Sequence, residues 1–142
     1  MIETNETAKT GESLPLQQTL DSLPFNNDGL LPAIAQQHDS GRVLMMAWMN
    51  REALQETIAT GRVCYYSRSR AKLWRKGETS NQVQRLIDLR LDCDGDTILL
   101  LVDQQGPACH TGRESCFYNA IRGDSVEVIE DPLIPPDRLY RR

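Results

Sequence analysis

The sequence predicts one mostly β (α+β) domain carrying a single clear helix. Three features carry that reading. Short runs rich in β-branched, aromatic and other apolar residues recur along the middle of the chain. One ten-residue stretch between Asn50 and Gly61 has helical spacing, and Gly-containing turns separate the runs. A length of 142 residues suits one compact domain, and 39% apolar with 25% charged residues suffices to close one core. The balance of 16 Lys+Arg against 20 Asp+Glu gives a net charge of -4, which argues against a general nucleic-acid or anionic-membrane binder. No apolar run approaches the roughly 18 residues of a spanning helix, so no membrane partner is expected.

Residues 1–28 are polar, with apolar hints only at Leu14, Leu16 and Leu20, and read as a flexible N-terminal extension with room for a helical turn or two. They lack a basic start and an apolar stretch, so no secretory signal is expected and the protein reads as cytoplasmic. The cysteines at 64, 93, 109 and 116 are then reduced rather than paired in disulfides. The domain proper spans 29–123. Leu31–Gln36 and Arg42–Met49 read as strands joined by the turn His38-Asp-Ser-Gly41, with Met45, Met46, Trp48 and Met49 as packing. Asn50 is an N-cap, Arg51–Thr60 a short helix with Ala53, Leu54, Thr57 and Ile58 on one face, and Gly61 its stop. Val63–Ser67 is a β-type run, with Cys64 in the core. Residues 82–92 and 97–104 form a hairpin turning at Gly95, in which Val83, Arg85, Ile87, Leu89 and Leu91 alternate with Gln84, Leu86, Asp88, Arg90 and Asp92. Residues 124–142 read as an acidic, Pro-containing C-terminal tail.

Three stretches carry chemistry. Asp92-Cys-Asp-Gly-Asp96 sets three carboxylates in five residues, which repel unless a solvated turn or a cation relieves them. An EF-hand is excluded by Thr97 at the sixth position and by the buried-strand run Ile98–Val102; hard oxygens at this spacing suit Mg²⁺. Gly106-Pro-Ala-Cys109-His110 through Cys116 offers two soft ligands in a loop, suited to Zn²⁺, although a buried Cys is also simply a small hydrophobe. No C-x-x-C is present, and neither His38 nor His110 begins the H-x-E of a nucleoside deaminase. Cys93, Cys109 and Cys116 with a water would make an open, catalytic kind of site. Finally, Arg62, Arg68, Arg70, Lys72, Arg75 and Lys76 lie in an acid-free strip interleaved with Tyr65, Tyr66 and Trp74. With Ser67, Ser69, Thr79, Ser80 and Gly77 it suits phosphate groups; a solvated face or a single-stranded nucleic-acid platform are the other readings.

Taken in order, Tyr65-Tyr-Ser-Arg-Ser-Arg, Leu73-Trp-Arg-Lys-Gly-Glu-Thr-Ser80, Asp92-Cys-Asp-Gly-Asp96 and Gly106-Pro-Ala-Cys-His-Thr-Gly-Arg-Glu-Ser-Cys-Phe117 resemble the phosphoribosyl-AMP cyclohydrolase family of histidine biosynthesis. The likeness runs from about Leu30 to Ile121 and includes Leu44-Met-Met-Ala-Trp-Met-Asn50. It implies a barrel-like twisted antiparallel sheet with one short capping helix, as a homodimer. It further implies one Zn²⁺ per chain on Cys93, Cys109 and Cys116 and one Mg²⁺ per chain on Asp92, Asp94 and Asp96. The substrate implied is phosphoribosyl-AMP, held by Ser67, Arg68, Arg70, Trp74, Lys76, Thr79 and Ser80. A zinc-activated water would attack C6 of the N1-ribosylated adenine and open the N1–C6 bond, with His110 moving the proton. The tail leaves no room for the pyrophosphatase domain sometimes fused in this family. Trp48 stands where Tyr is common, and Asn81-Gln82 replaces a common Gly-His or Gly-Asn.

Strand parity adds one expectation. If extended pairing continues through Cys93, its thiol leaves the strand opposite to Asp92 and Asp94, so one chain's cavity need not hold both metals. The zinc ligands are then shared between the two chains of the dimer.

Overall fold

The computed structural model describes residues 1–139. Among them, six strands form one curled, half-barrel sheet: β1 (Leu31–Gln37), β2 (Val43–Met49), β3 (Cys64–Ser67), β4 (Lys72–Arg75), β5 (Gln84–Leu91) and β6 (Ile98–Gln104), in the order β4-β3-β2-β1-β6-β5. Each neighbouring pair is antiparallel except β1 and β6, which run parallel with Ala33 beside Ile98 and Ala35 beside Leu100. The expected barrel-like antiparallel sheet is present, with that one parallel seam. The 82–104 hairpin docks through its second strand onto β1, a pairing between distant segments that no local pattern announces.

The core lies inside the curl. Alternate residues of the central strands, Leu31, Ala33 and Ala35 on β1 and Ile98, Leu100 and Val102 on β6, are buried on the inner face. Residues from the two edge regions then meet. The Val63 N–H donates to the Gln84 carbonyl at 3.0 Å and the Leu86 N–H to the Gly61 carbonyl at 2.7 Å. Inside, the Tyr65 hydroxyl donates to Gln84 Oε1 at 2.7 Å, and Gln84 Nε2 donates to Met45 Sδ at 3.4 Å. Gln84 is fully buried because all of its polar atoms are used here.

The helix between β2 and β3 matches its sequence signals. Asn50 Oδ1 accepts from the Ala53 N–H at 2.8 Å, and Gly61, at φ 73°, ends the helix Arg51–Thr60. Ala53, Leu54 and Thr57 are buried, whereas Ile58 lies on the exposed side. The Thr57 hydroxyl donates to the Ala53 carbonyl and accepts from the Cys64 N–H, tying the helix to β3.

Four expectations change. β5 carries a bulge between Leu86 and Asp88, so the alternation slips: Gln84, Leu86, Leu89 and Leu91 turn inward, and Ile87 is exposed. The N-terminal residues pack on the domain and carry structure of their own. They form a 3₁₀ turn (Ile2–Thr7) and a short helix (Leu16–Ser22), and Leu20 and Leu23 enter the core cluster. An ion pair between Asp21 and Arg51 ties that helix to Arg51–Thr60. Two leucines three apart are too sparse a stripe to be read as amphipathic. The segment after Gly123 is not only a tail, since β7 (Asn119–Arg122) pairs with β8 (Ser125–Val128) in a separate hairpin. The basic strip contains β4, whose Lys72–Arg75 pairs with β3 in the register Cys64–Arg75 to Ser67–Lys72. No helix among the described residues is long and apolar enough to cross a membrane.

Docking of the N-terminal segment has a stability consequence. Replacing Leu20 by Ala empties a core position and is expected to cost about 2–4 kcal/mol in urea unfolding. A loss below about 0.5 kcal/mol, ordinary for a surface change, would mean that the segment is not part of the cooperative unit.

Candidate active site

β3 and β4, with the loop that follows them, enclose a cleft of about 470 Å³. Of the residues expected to hold substrate, Ser67, Arg70, Trp74, Lys76, Thr79 and Ser80 line it. Arg68 does not. Its guanidinium lies 5.0 Å from the Trp48 ring, in a neighbouring shallow groove shared with Tyr66 and Trp74. Ser67 Oγ accepts from the Arg70 N–H at 3.2 Å, which fixes the β3–β4 turn. Trp74 is backed by Tyr65, the ring centroids being 5.0 Å apart.

The basic strip is less uniform than the sequence suggests. Arg75 is a fork on the Glu56 carboxylate, with bonds of 2.7 and 2.6 Å. That bond, more than any other influence, holds Glu56 below the usual carboxylate range. Lys76 is buried, and its ammonium donates to the Ala108 carbonyl at 2.6 Å. Burial lowers its pKa, while the neighbouring Cys116 and Cys109 act to raise it. Lys76 lines the cleft, and its ammonium faces the thiol loop rather than solvent. Arg62, Arg68, Arg70 and Lys72 remain exposed.

Cys109 and Cys116 come together in that loop. The Cys116 N–H donates to the Leu44 carbonyl at 2.7 Å and the Gly112 N–H to the Cys109 carbonyl at 3.0 Å, and each thiol influences the ionisation of the other. Burial raises the Cys116 thiol to about 12, with further raising from Cys109 beside it. Burial would raise Cys109 too, but hydrogen bonds from Thr111, one of them a hydroxyl at 3.1 Å, together with Cys116 and Lys76, bring it below the ordinary thiol value. Two thiols placed together are a donor set suited to a soft divalent cation, which takes thiolates and offsets their mutual repulsion. His110, next to Cys109, is exposed. Cys64 is a core thiol pushed up to about 12, mainly by burial and also by Glu56.

The acidic turn is a separate centre. Asp92, Asp94 and Asp96 place ligand oxygens within 4.8 Å of one another. Asp92 Oδ1 accepts from the N–H groups of Asp96 and Thr97 at 2.9 and 3.2 Å. Slight burial opposes ionisation of Asp92, yet its hydrogen bonds with Asp96 and the backbone hold it below the usual range; Asp96 is raised by its bond to Asp92. Three carboxyl groups this close mark a site where a cation would relieve repulsion, and the all-oxygen donor set fits Mg²⁺. The strand-parity expectation fails here. β5 ends at Leu91, residues 92–96 are a turn, and Cys93 Sγ lies on the same side as Asp94, 3.6 Å from Oδ1. The Asp94 charge raises the Cys93 thiol. Among the described residues no other three His, Cys, Asp or Glu ligands lie that close together, so Cys93 does not join Cys109 and Cys116 within one chain.

Sequence reasoning missed the Arg75–Glu56 fork, Gln84, and the position of Lys76 beside the thiols. Only the last left a trace: four residues of β4 carry it from the β3 pairing toward the loop, but the strand was hidden by charge.

A family model described as phosphoribosyl-AMP cyclohydrolase matches residues 45–118. A relative of that name from Halorhodospira halophila (strain DSM 244 / SL1) is 70% identical over 99% of each chain. One from Alkalilimnicola ehrlichii (strain ATCC BAA-1101 / DSM 17681 / MLHE-1) is 68% identical over 100% of each. Another from Granulibacter bethesdensis (strain ATCC BAA-1260 / CGDNIH1) is 64% identical over 88% of this chain and 98% of its own.

The Arg75–Glu56 fork sets a pH dependence. Because the folded pKa of Glu56 is lowered, its stabilisation is present above the unfolded glutamate value of about 4.3 and is lost as pH falls through the folded value. Glu56→Gln is expected to melt about 1–3 °C lower at pH 7, since the pair is partly exposed, and the gap should close in acid. A gap that persists unchanged into strong acid would remove ionisation as its cause.

Proposed function

The chain belongs to the phosphoribosyl-AMP cyclohydrolase family, and from that premise we propose that it hydrolyses phosphoribosyl-AMP, opening the N1–C6 bond of the adenine ring in histidine biosynthesis. One observation carries the reading: Lys76 lines the β3–β4 cleft and also touches the loop holding Cys109 and Cys116. A bound substrate and a metal at the thiols are thus neighbours.

In this reading the exposed Arg70, with Ser67, Thr79 and Ser80 at the cleft, binds a phosphate, and Arg68 reaches one from outside. Trp74, fixed by Tyr65, gives the purine a flat wall. Cys109 and Cys116, with Cys93 from a second copy of the chain, would hold zinc, whose chemistry there is to make hydroxide available at neutral pH. Asp92, Asp94 and Asp96 would hold magnesium, which offsets phosphate charge. His110, exposed beside a ligand, accepts a proton from the attacking water and delivers one to N1 as the ring opens.

Sharing between two copies is supported by the separation of Cys93 from the thiol pair. The β7–β8 hairpin adds to it. It is a lone two-stranded ribbon, marginal in water by itself, and exposes Ile121, Val126 and Val128 by 82%, 66% and 55%. Such a ribbon suits burial against a partner copy.

An absorbance assay for phosphoribosyl-AMP conversion, with and without chelator, tests the activity. Zinc is expected at about one per chain, and His110→Asn should keep it while losing about 10²–10⁴ in turnover. Zinc lost in that variant would make His110 a ligand. Turnover left unchanged would assign the proton to another group.

Sharing of the ligands has its own test. Cys93→Ala and Cys109→Ala, each inactive alone, are refolded together in equal amounts. Half the dimers are then mixed, and a shared arrangement puts both defects in one site, so about a quarter of wild-type activity should return. Ligands drawn from a single chain would leave the mixture dead.

A further inference from the structure

The thiol loop is held from outside by a segment of the C-terminal region, well beyond the 45–118 family match. The Leu133 N–H donates to the Gly112 carbonyl at 2.8 Å, at the tip of the loop. Arg113 Nε donates to the Glu130 carbonyl at 2.7 Å, and the Ser115 N–H to Glu130 Oε2 at 3.2 Å. The same carboxylate pairs with Arg42, whose Nε lies 3.5 Å from Glu114 in the loop itself. The Glu130 side chain is only 13% exposed. Contact at the tip is close enough that a Cβ added to Gly112 would lie 1.8 Å from the Ile134 carbonyl oxygen.

Four points thus fix a loop that has little regular structure of its own. Its internal bonds, Ala108 N–H to Glu114 and Cys109 N–H to Arg113, set its two sides together. They leave the tip and the Ser115 N–H to be satisfied by the strap. Ser115 is the pivot: its N–H goes to Glu130, while its hydroxyl donates to the Val43 carbonyl at 2.8 Å and accepts from the Phe117 N–H. Cys116 lies between those two anchors.

We propose that residues 130–134 are a strap that keeps Cys109 and Cys116 at ligand spacing, with Glu130 as the positioning residue. The metal part of this inference rests on the function proposed above; the holding of the loop does not. Loss of the strap frees the tip and the Ser115 anchor, so both sulfurs sample wider separations and become accessible. Cys64, in the core, and Cys93, on the acidic turn, lie outside the strap's reach.

The test uses the full chain as wild type, Glu130→Ala, Glu130→Gln and Leu133→Pro. The proline removes the 2.8 Å donor to Gly112, leaving the longer Ile134 N–H at 3.4 Å, without touching the charge, and the Leu133 side chain is exposed, so no core contact is lost. Alkylation of each cysteine in metal-free protein is followed by mass spectrometry, and zinc release from loaded protein by a coloured chelator. Glu130→Ala and Leu133→Pro are expected to alkylate Cys109 and Cys116, and to release zinc, about 10- to 100-fold faster, as for loss of a charge-assisted or buried backbone bond. Glu130→Gln keeps an oxygen for the Ser115 N–H and should fall nearer wild type. Unchanged rates at Cys109 and Cys116 in both disrupting variants overturn the strap. So does a parallel rise at Cys64, which would mean general loosening. Wild-type protein that takes up no zinc refutes the metal reading, and the alkylation pattern still judges the strap.

Discussion

The contact between the entry of β3 and the start of β5 governs this structure. A six-stranded sheet with a twist can stay open, but here Val63 and Gly61 bond to Gln84 and Leu86 across the gap. The Gln84 side chain then fills the interior between Tyr65 and Met45. Gly61 is suited to this place because it also ends the preceding helix with φ 73°, so helix stop and sheet closure fall at one residue. A buried amide whose partners come from two other strands is costly if any partner is lost, and that cost makes the curl specific.

Closure also decides where chemistry can occur. The Lys76 N–H donates to the Val63 carbonyl, so the end of β4 is tied to the residue that forms the seam. Gln104, at the end of β6, donates to the Gln82 carbonyl at 3.1 Å, and Gly106 packs against the Gln82 side chain. The loop after β4 and the loop after β6 are thereby neighbours. Lys76 crosses between them to donate to the Ala108 carbonyl in the thiol loop. The carboxylate turn sits between β5 and β6, away from the thiol pair. Cys109 and Cys116 are thereby kept apart from the carboxylates, and Cys93 is the thiol that lies beside them.

The local signals in the sequence were good guides where structure is local. Asn50 and Gly61 bound the helix as capping chemistry requires, and the two long strands with Gly95 between them form a hairpin. The aspartates cluster because five consecutive residues cannot be far apart in a turn. Pairing between distant segments left no such mark. The parallel contact of β1 with β6 depends on the whole intervening chain, and the bulge at Ile87 reverses the side-chain alternation with no glycine or proline to announce it. Leu20 and Leu23 look like stray apolar residues until the core they complete is present. Lys76 reads in the sequence as one more cation of the basic strip, and nothing local shows that its ammonium is buried against the Ala108 carbonyl.

The two halves of the site have the same construction. Each is a turn with a glycine at positive φ, Gly95 at 73° and Gly112 at 86°, where a side chain would be strained. A terminal segment presses on each. A Cβ on Gly95 would lie 2.9 Å from Ile2 Cγ2 and 3.2 Å from Leu23, much as one on Gly112 would strike the strap. Neither Ile2 nor the strap lies within residues 45–118. Turns that carry several charges or thiols resist compact shapes through repulsion and desolvation, so an outside support is the simplest way to hold them without a bound cation. The ends of the chain then stiffen the two donor groups separately. Under the proposed sharing of zinc between copies, each chain arrives with both halves already shaped, and dimerisation has only to bring them together.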